Sequence, residues 1–163
     1  MVQKVVEKGP AWEERIEKIL ESIAITEGDF KRKGASSEIH ARILEVVQDE
    51  WNKCRSPVFE ERAFQIDFVG RTFSRHGKVE LAIEVDTWWK PTGNWVKLLD
   101  INAVNKIWIY VCREKDKASK YFENAVKDFR KLAKLRGEDN TNNVALFMKV
   151  ADQKTVYKHH LFE

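Results

Sequence analysis

Cysteine is scarce in this sequence. The 163-residue chain has two, Cys54 and Cys112, far apart and outside any CxxC arrangement. That argues against a disulfide framework and suits a reducing compartment. Seven glycines and three prolines exclude collagen-like or linker-like composition. No apolar run approaches the roughly 18–20 residues that cross a bilayer. The opening MVQKVVEKGP holds no apolar stretch of signal-peptide length. A soluble, cytoplasmic chain with no membrane partner is the expectation. GxGxxG, a Walker A lysine loop and GxSxG are also missing, which argues against nucleotide-dependent and serine-hydrolase chemistry. His159 and His160 are adjacent, and His40 and His76 stand alone, so no histidine pair has metal-ligand spacing.

What is present describes a globular domain. The chain is 43% hydrophobic and 34% charged, with a net charge of +3. Its length suits one domain over residues 1–163. The charge excess, with only four glutamines, is in keeping with heat adaptation.

Periodicity divides the chain into elements. Trp12, Ile16, Ile19, Leu20 and Ile23 make one helical stripe, with Pro10 placed to start it. GDFKRKG, residues 28–34, reads as a basic loop. Ile39, Ile43, Val46, Val47 and Trp51 make a second stripe, for which Ser36 or Ser37 is a candidate cap. From Phe59 the period changes to two. Phe64, Ile66 and Phe68 share one face, and Gln65 and Asp67 the other. In the next run, Val79 to Asp86, Leu81, Ile83 and Val85 oppose Glu80, Ala82, Glu84 and Asp86. The turn-prone GRTFSRHGK between the runs predicts an antiparallel hairpin.

A short helix is expected from Asn94 to Asn105, burying Trp95, Leu98 and Leu99, then a strand at IWIYV, apolar on both faces. A helix carrying Phe122, Val126 and Phe129 follows and ends at Gly137. VALFMKV makes another strand, and Thr155 to Phe162 a short edge strand. The order α-α-β-β-α-β-α-β, with a last β, predicts an α/β fold with a mixed central sheet flanked by helices.

Chemistry concentrates on the hairpin. Glu84 and Asp86 share a strand face, and Asp67 points away from the apolar stripe of its own strand. Convergent carboxylates suit Mg²⁺ or Mn²⁺, and such an ion activates water at a phosphate. A solvated hairpin face is the bland alternative. Against it, the strand with Glu84 precedes a helix and a fully apolar strand, which places it inside the sheet, where unpaired charge is costly. The next segment, TWWKPTGNW, sets Trp88, Trp89 and Trp95 beside Lys90 and Lys97. Aromatic faces next to cations suit stacked bases and phosphates, although tryptophans more often seal a core. Arg71, Arg75, His76 and Lys78 in the hairpin turn, with Lys31, Arg32 and Lys33, are candidate phosphate contacts.

The run from Phe64 to Val111 resembles the core of the restriction-endonuclease-like, or PD-(D/E)xK, nuclease superfamily. Asp67 matches the first acid of the motif and Glu84 the second. The resemblance implies a restriction-endonuclease-like core and a divalent-metal-dependent phosphodiester hydrolase acting on nucleic acid, with DNA the expected partner and a homodimer one possible assembly. It also implies metal ligation by Asp67 and Glu84, with a further glutamate from the first core helix, for which Glu38 or Glu45 would serve. The sequence departs from the pattern at Asp86, which stands where the family has lysine. Lys90 and Lys97 are the candidates to replace that lysine. The alternative implied by Asp86 is a catalytically inactive module of the same fold that binds nucleic acid or a protein.

Overall fold

Two tryptophans explain how the first two helices meet the sheet. The computed structural model describes residues 11–54, 66–71, 78–87, 94–136 and 143–161. Helix α1 (Trp12–Ser22) buries Trp12, Ile16, Ile19 and Leu20, and α2 (Ala35–Cys54) buries Ile39, Ile43, Val47 and Trp51. Trp12 stacks on Trp51 with ring centroids 5.1 Å apart, and Trp51 meets Phe68 edge-on at 5.8 Å. Phe68 opens strand β1 (Phe68–Arg71). A Cβ on Gly70 would lie 2.6 Å from the Trp51 ring, so only glycine lets β1 sit this close to α2.

Between these helices the expected basic loop contains a 3-10 turn, Glu27–Lys31. Thr26 and Asp29 cap it reciprocally, each side chain accepting the other's backbone N–H. Gly34 follows in the left-handed region, at φ 77°, and α2 begins at the next residue. Ser36 is therefore inside the first turn rather than capping it. Its hydroxyl instead meets Thr87 at the end of the second strand, with the two oxygens 2.7 Å apart.

The sheet runs β1-β2-β3-β4-β5 in chain order, with β2 (Val79–Asp86), β3 (Asn105–Cys112), β4 (Val144–Val150) and β5 (Val156–His160). β1 and β5 pair antiparallel with their neighbours, whereas β2, β3 and β4 are mutually parallel. Among the described residues this is an open, mixed five-stranded sheet. The β2–β3 crossover carries a 3-10 turn (Asn94–Val96) and then α3 (Lys97–Asp100), shorter than the helix expected from Asn94 to Asn105. The β3–β4 crossover carries α4 (Lys115–Arg136).

The sheet separates two apolar cores. Leu81, Ile83, Val85, Ile107, Ile109, Ala145 and Phe147 pack under α1 and α2. Ala82, Trp108, Tyr110, Leu146 and Met148 pack with Trp95, Leu98 and Phe129 on the opposite face. Strands covered on both sides read as continuous apolar runs, which accounts for IWIYV and VALFMKV. None of the helices among the described residues is long and apolar enough to cross a membrane.

One register shift alters the pattern read from alternation. The β1–β2 pairing slips between Gly70 and Arg71, as a β-bulge does. Val79 joins the α4-side core, while Glu80 accepts the indole N–H of Trp12, at 3.3 Å, on the α1 side. Glu80 therefore parts from the face of Ala82, on which alternation alone places it.

Candidate active site

Strand β2 is interior, and all eight of its residues are buried. The solvated-face alternative fails on this point: Glu84 and Asp86 are each 3% exposed. Asp67, immediately before β1, meets Glu84 through the two backbones. The Asp67 N–H donates to Glu84 Oε2 at 3.2 Å, and the Val85 N–H donates to Asp67 Oδ2 at 2.8 Å. Antiparallel pairing puts residue 68 opposite 83, so each acid reaches across to the other segment just beyond the last paired residues.

Each carboxylate has a basic neighbour from a different helix. Lys97, the first residue of α3, donates to Glu84 Oε1 at 3.3 Å. His40, on α2, places Nε2 3.0 Å from Asp67 Oδ2. Burial pushes the Glu84 carboxyl above its ordinary value, and the negative charge of Asp67 adds to the rise, while Lys97 opposes it. Two acids are thus held together at an energetic cost that one lysine offsets only in part.

The other described candidates have surroundings of their own. Asp86 is opposite Tyr110 in β3, and burial together with the charges of Cys112 and Asp86 pushes the Tyr110 hydroxyl up. Glu38 and Glu45 are exposed on α2. Glu38 occupies the first turn, where the helix dipole alone favours an acid, and the α2 side chain that reaches the carboxylates is His40. Trp95 is 4% exposed and stacks on Phe129 at 3.7 Å. Its ring serves the core, which removes it from the set of base-stacking candidates. Arg71 is half-buried at the end of β1, and Lys78 is exposed. Arg75, His76, Trp88, Trp89 and Lys90 lie outside the described residues.

Sequence reasoning missed three groups. His40 is one, because spacing along the chain gives no sign that it meets an acid on another element. Lys106 and Lys149 are the others, at 1% and 2% exposed within strands β3 and β4. Burial lowers both ammonium groups, that of Lys106 to about 8. The lysine in each apolar run, NKIWIYV and ALFMKV, was the available signal.

Among the described residues no group of three or more His, Cys, Asp and Glu side chains forms a ready set of metal ligands. The donors present still suit one kind of ion. Two hard carboxylates in mutual repulsion match Mg²⁺, which binds through one or two carboxylates and keeps several waters. Compared with models of protein families, with curated proteins and with solved structures, the chain matches none.

Proposed function

We propose that this protein is a divalent-metal-dependent phosphodiester hydrolase acting on DNA, with a restriction-endonuclease-like core. The observation that carries this reading is the Asp67–Glu84 pair. Two acids on adjoining segments are fixed through backbone N–H groups, and a lysine from the following helix sits on the second of them. An antiparallel pair carrying the two acids, followed by a helix and a further apolar strand, supports this reading.

Asp67 and Glu84, with the Val85 carbonyl, would hold Mg²⁺ or Mn²⁺. The bound ion supplies a water of lowered pKa and offsets charge developing on the phosphate. The protein's own groups do the rest. The Val85 N–H and His40 orient Asp67. The Asp67 N–H and Lys97 orient Glu84. Lys97 occupies the role left open by Asp86, presenting a cation beside the pair to hold the attacking water and stabilise the extra charge of the transition state.

The test is cleavage of supercoiled, linear and single-stranded DNA with Mg²⁺ or Mn²⁺. Glu84→Ala and Asp67→Ala should each lower metal-dependent cleavage at least a hundredfold, about 2.7 kcal/mol of barrier, while far-UV circular dichroism stays native. Full activity in either variant overturns the assignment. Asp86 at the usual lysine position favours the second reading, an inactive module of the same fold. Salt-dependent DNA retention without cleavage would select it.

A further inference from the structure

An open cleft of about 610 Å³ adjoins the acid pair, within the size range of small-ligand sites, roughly 300–1,000 Å³. His40 lines it and at the same time contacts Asp67, so the cleft begins where the acid pair ends. Thr87, next to Asp86 at the end of β2, forms another part of the wall. Arg32 enters from the segment before α2, and Arg113 from the end of β3. No acidic side chain is among the lining residues.

The two arginines of this cleft stand apart from the acids of the described residues. Neither guanidinium forms an ion pair with one of them. Arg113 takes part in no other described side-chain contact, and Arg32 exerts only the weakest of the pulls that lower Asp29. Two other arginines meet acids closely: Arg15 lies 2.7 Å from Glu50, and Arg136 2.6 Å from Asp100. The hydroxyls of Ser36 and Thr87 clasp each other and each other's carbonyls, which fixes the start of α2 against β2 and so fixes the shape of the wall. Two forked donors and a histidine, lining one cleft with no acidic side chain, are the donor set that suits a tetrahedral oxyanion.

We propose that this cleft is a phosphate-binding subsite for the strand that is cut. Arg32 and Arg113 grip a phosphate of that strand next to the one presented to Asp67 and Glu84. The inference rests on the nuclease reading for its neighbour, but the binding chemistry belongs to the cleft. The phosphate is either an internal phosphodiester or a terminal phosphomonoester.

Fluorescence anisotropy separates these sources. The probes are internally labelled single-stranded DNA oligonucleotides in EDTA, with a 5′-phosphate, a 3′-phosphate or hydroxyls at both ends. Arg32→Gln/Arg113→Gln, checked by its melting curve, should bind at least tenfold more weakly than the wild type. Its log–log salt slope should be shallower by about one to two. Each single variant should lose part of that, which keeps the test open if the double variant folds poorly. Equal losses on all three probes identify an internal phosphodiester; tighter wild-type binding of a phosphorylated end, lost in the variants, identifies a phosphomonoester. Folded variants with wild-type affinity and slope overturn the subsite. Arginine-dependent binding with no metal-dependent cleavage sinks the nuclease reading and leaves the subsite standing. Cleavage that needs Glu84 but not the arginines does the reverse.

Discussion

Charges meet in two regions of this molecule, on very different terms. At the outer edge, Lys158 of β5 lies 3.9 Å from Glu13 and 3.4 Å from Glu17 of α1, and His160 also contacts Glu13. All four side chains there are about a quarter or more exposed, so water solvates them whether or not they pair. At the inner corner, Glu84 is 3% exposed, the residue it meets just before β1 is another acid, and its carboxyl is pushed up. The outer cluster costs little and contributes little. The inner pair carries the penalty of burial and of like charge, and such penalties cluster at functional sites. That difference separates the acids proposed to bind the metal from those that merely face water.

Four measurements would break or sharpen the contrast. The largest effect is expected from metal. At a hundred times its dissociation constant, Mg²⁺ should stabilise the wild type by about 2.7 kcal/mol in thermal melts. Asp67→Asn and Glu84→Gln should each remove most of that gain, whereas Glu13→Gln should leave it intact. Equal stabilisation of all four proteins would break the comparison.

Lys106 asks whether burial alone imposes the cost. Its ammonium falls from 10.5 to about 8, chiefly through desolvation. The unfolded chain therefore holds the extra proton between those values, and stability rises with pH across that window. Lys106→Met should be more stable than the wild type by about 1–3 kcal/mol at pH 7, since each pH unit separating the folded and unfolded values corresponds to about 1.36 kcal/mol. The gain should shrink as the pH rises from about 8 to 10.5. A destabilised variant in urea melts would show that the ammonium is instead fully compensated.

Glu84 has the opposite sign. Its folded carboxyl holds a proton to higher pH than the unfolded one, so the metal-free protein loses stability as pH rises above 4.5 and through the raised folded value. Glu84→Gln should flatten that part of the pH–stability profile. An unchanged profile would mean that Lys97 neutralises the site completely. The smallest effect is expected at the edge, where Lys158→Ala should cost less than about 1 kcal/mol in the same melts.

Much of the fold was legible along the chain. Alternation located β2, continuous apolar runs located β3 and β4, and helical spacing located α1, α2 and α4, because each pattern reports which faces an element must bury. Boundaries were less secure. The crossover helix shortened to Lys97–Asp100, and α2 started at Ala35, since the cap expected of Ser36 gave way to its bonds with Thr87. Asp67 and Glu84 were visible as a pattern of acids, and Lys97 as one of two lysines that could reach them; the structure brings Lys97 to Glu84. Trp95 carried two readings, because a tryptophan beside lysines looks the same in sequence whether it faces a ligand or a core, and the structure takes the core.

The sequence by itself determined the α/β class, the order of the elements and the interior position of the strand with Glu84, because periodicity and hydrophobic burial act locally. Only the tertiary structure decided which residues meet. It brought His40 to Asp67, Lys97 to Glu84, and Arg113 beside Arg32 in one cleft. It also turned Glu80 to the other face through a bulge. Those outcomes depend on register and on the approach that Gly70 allows Trp51, which are properties of packed surfaces and not of any one segment.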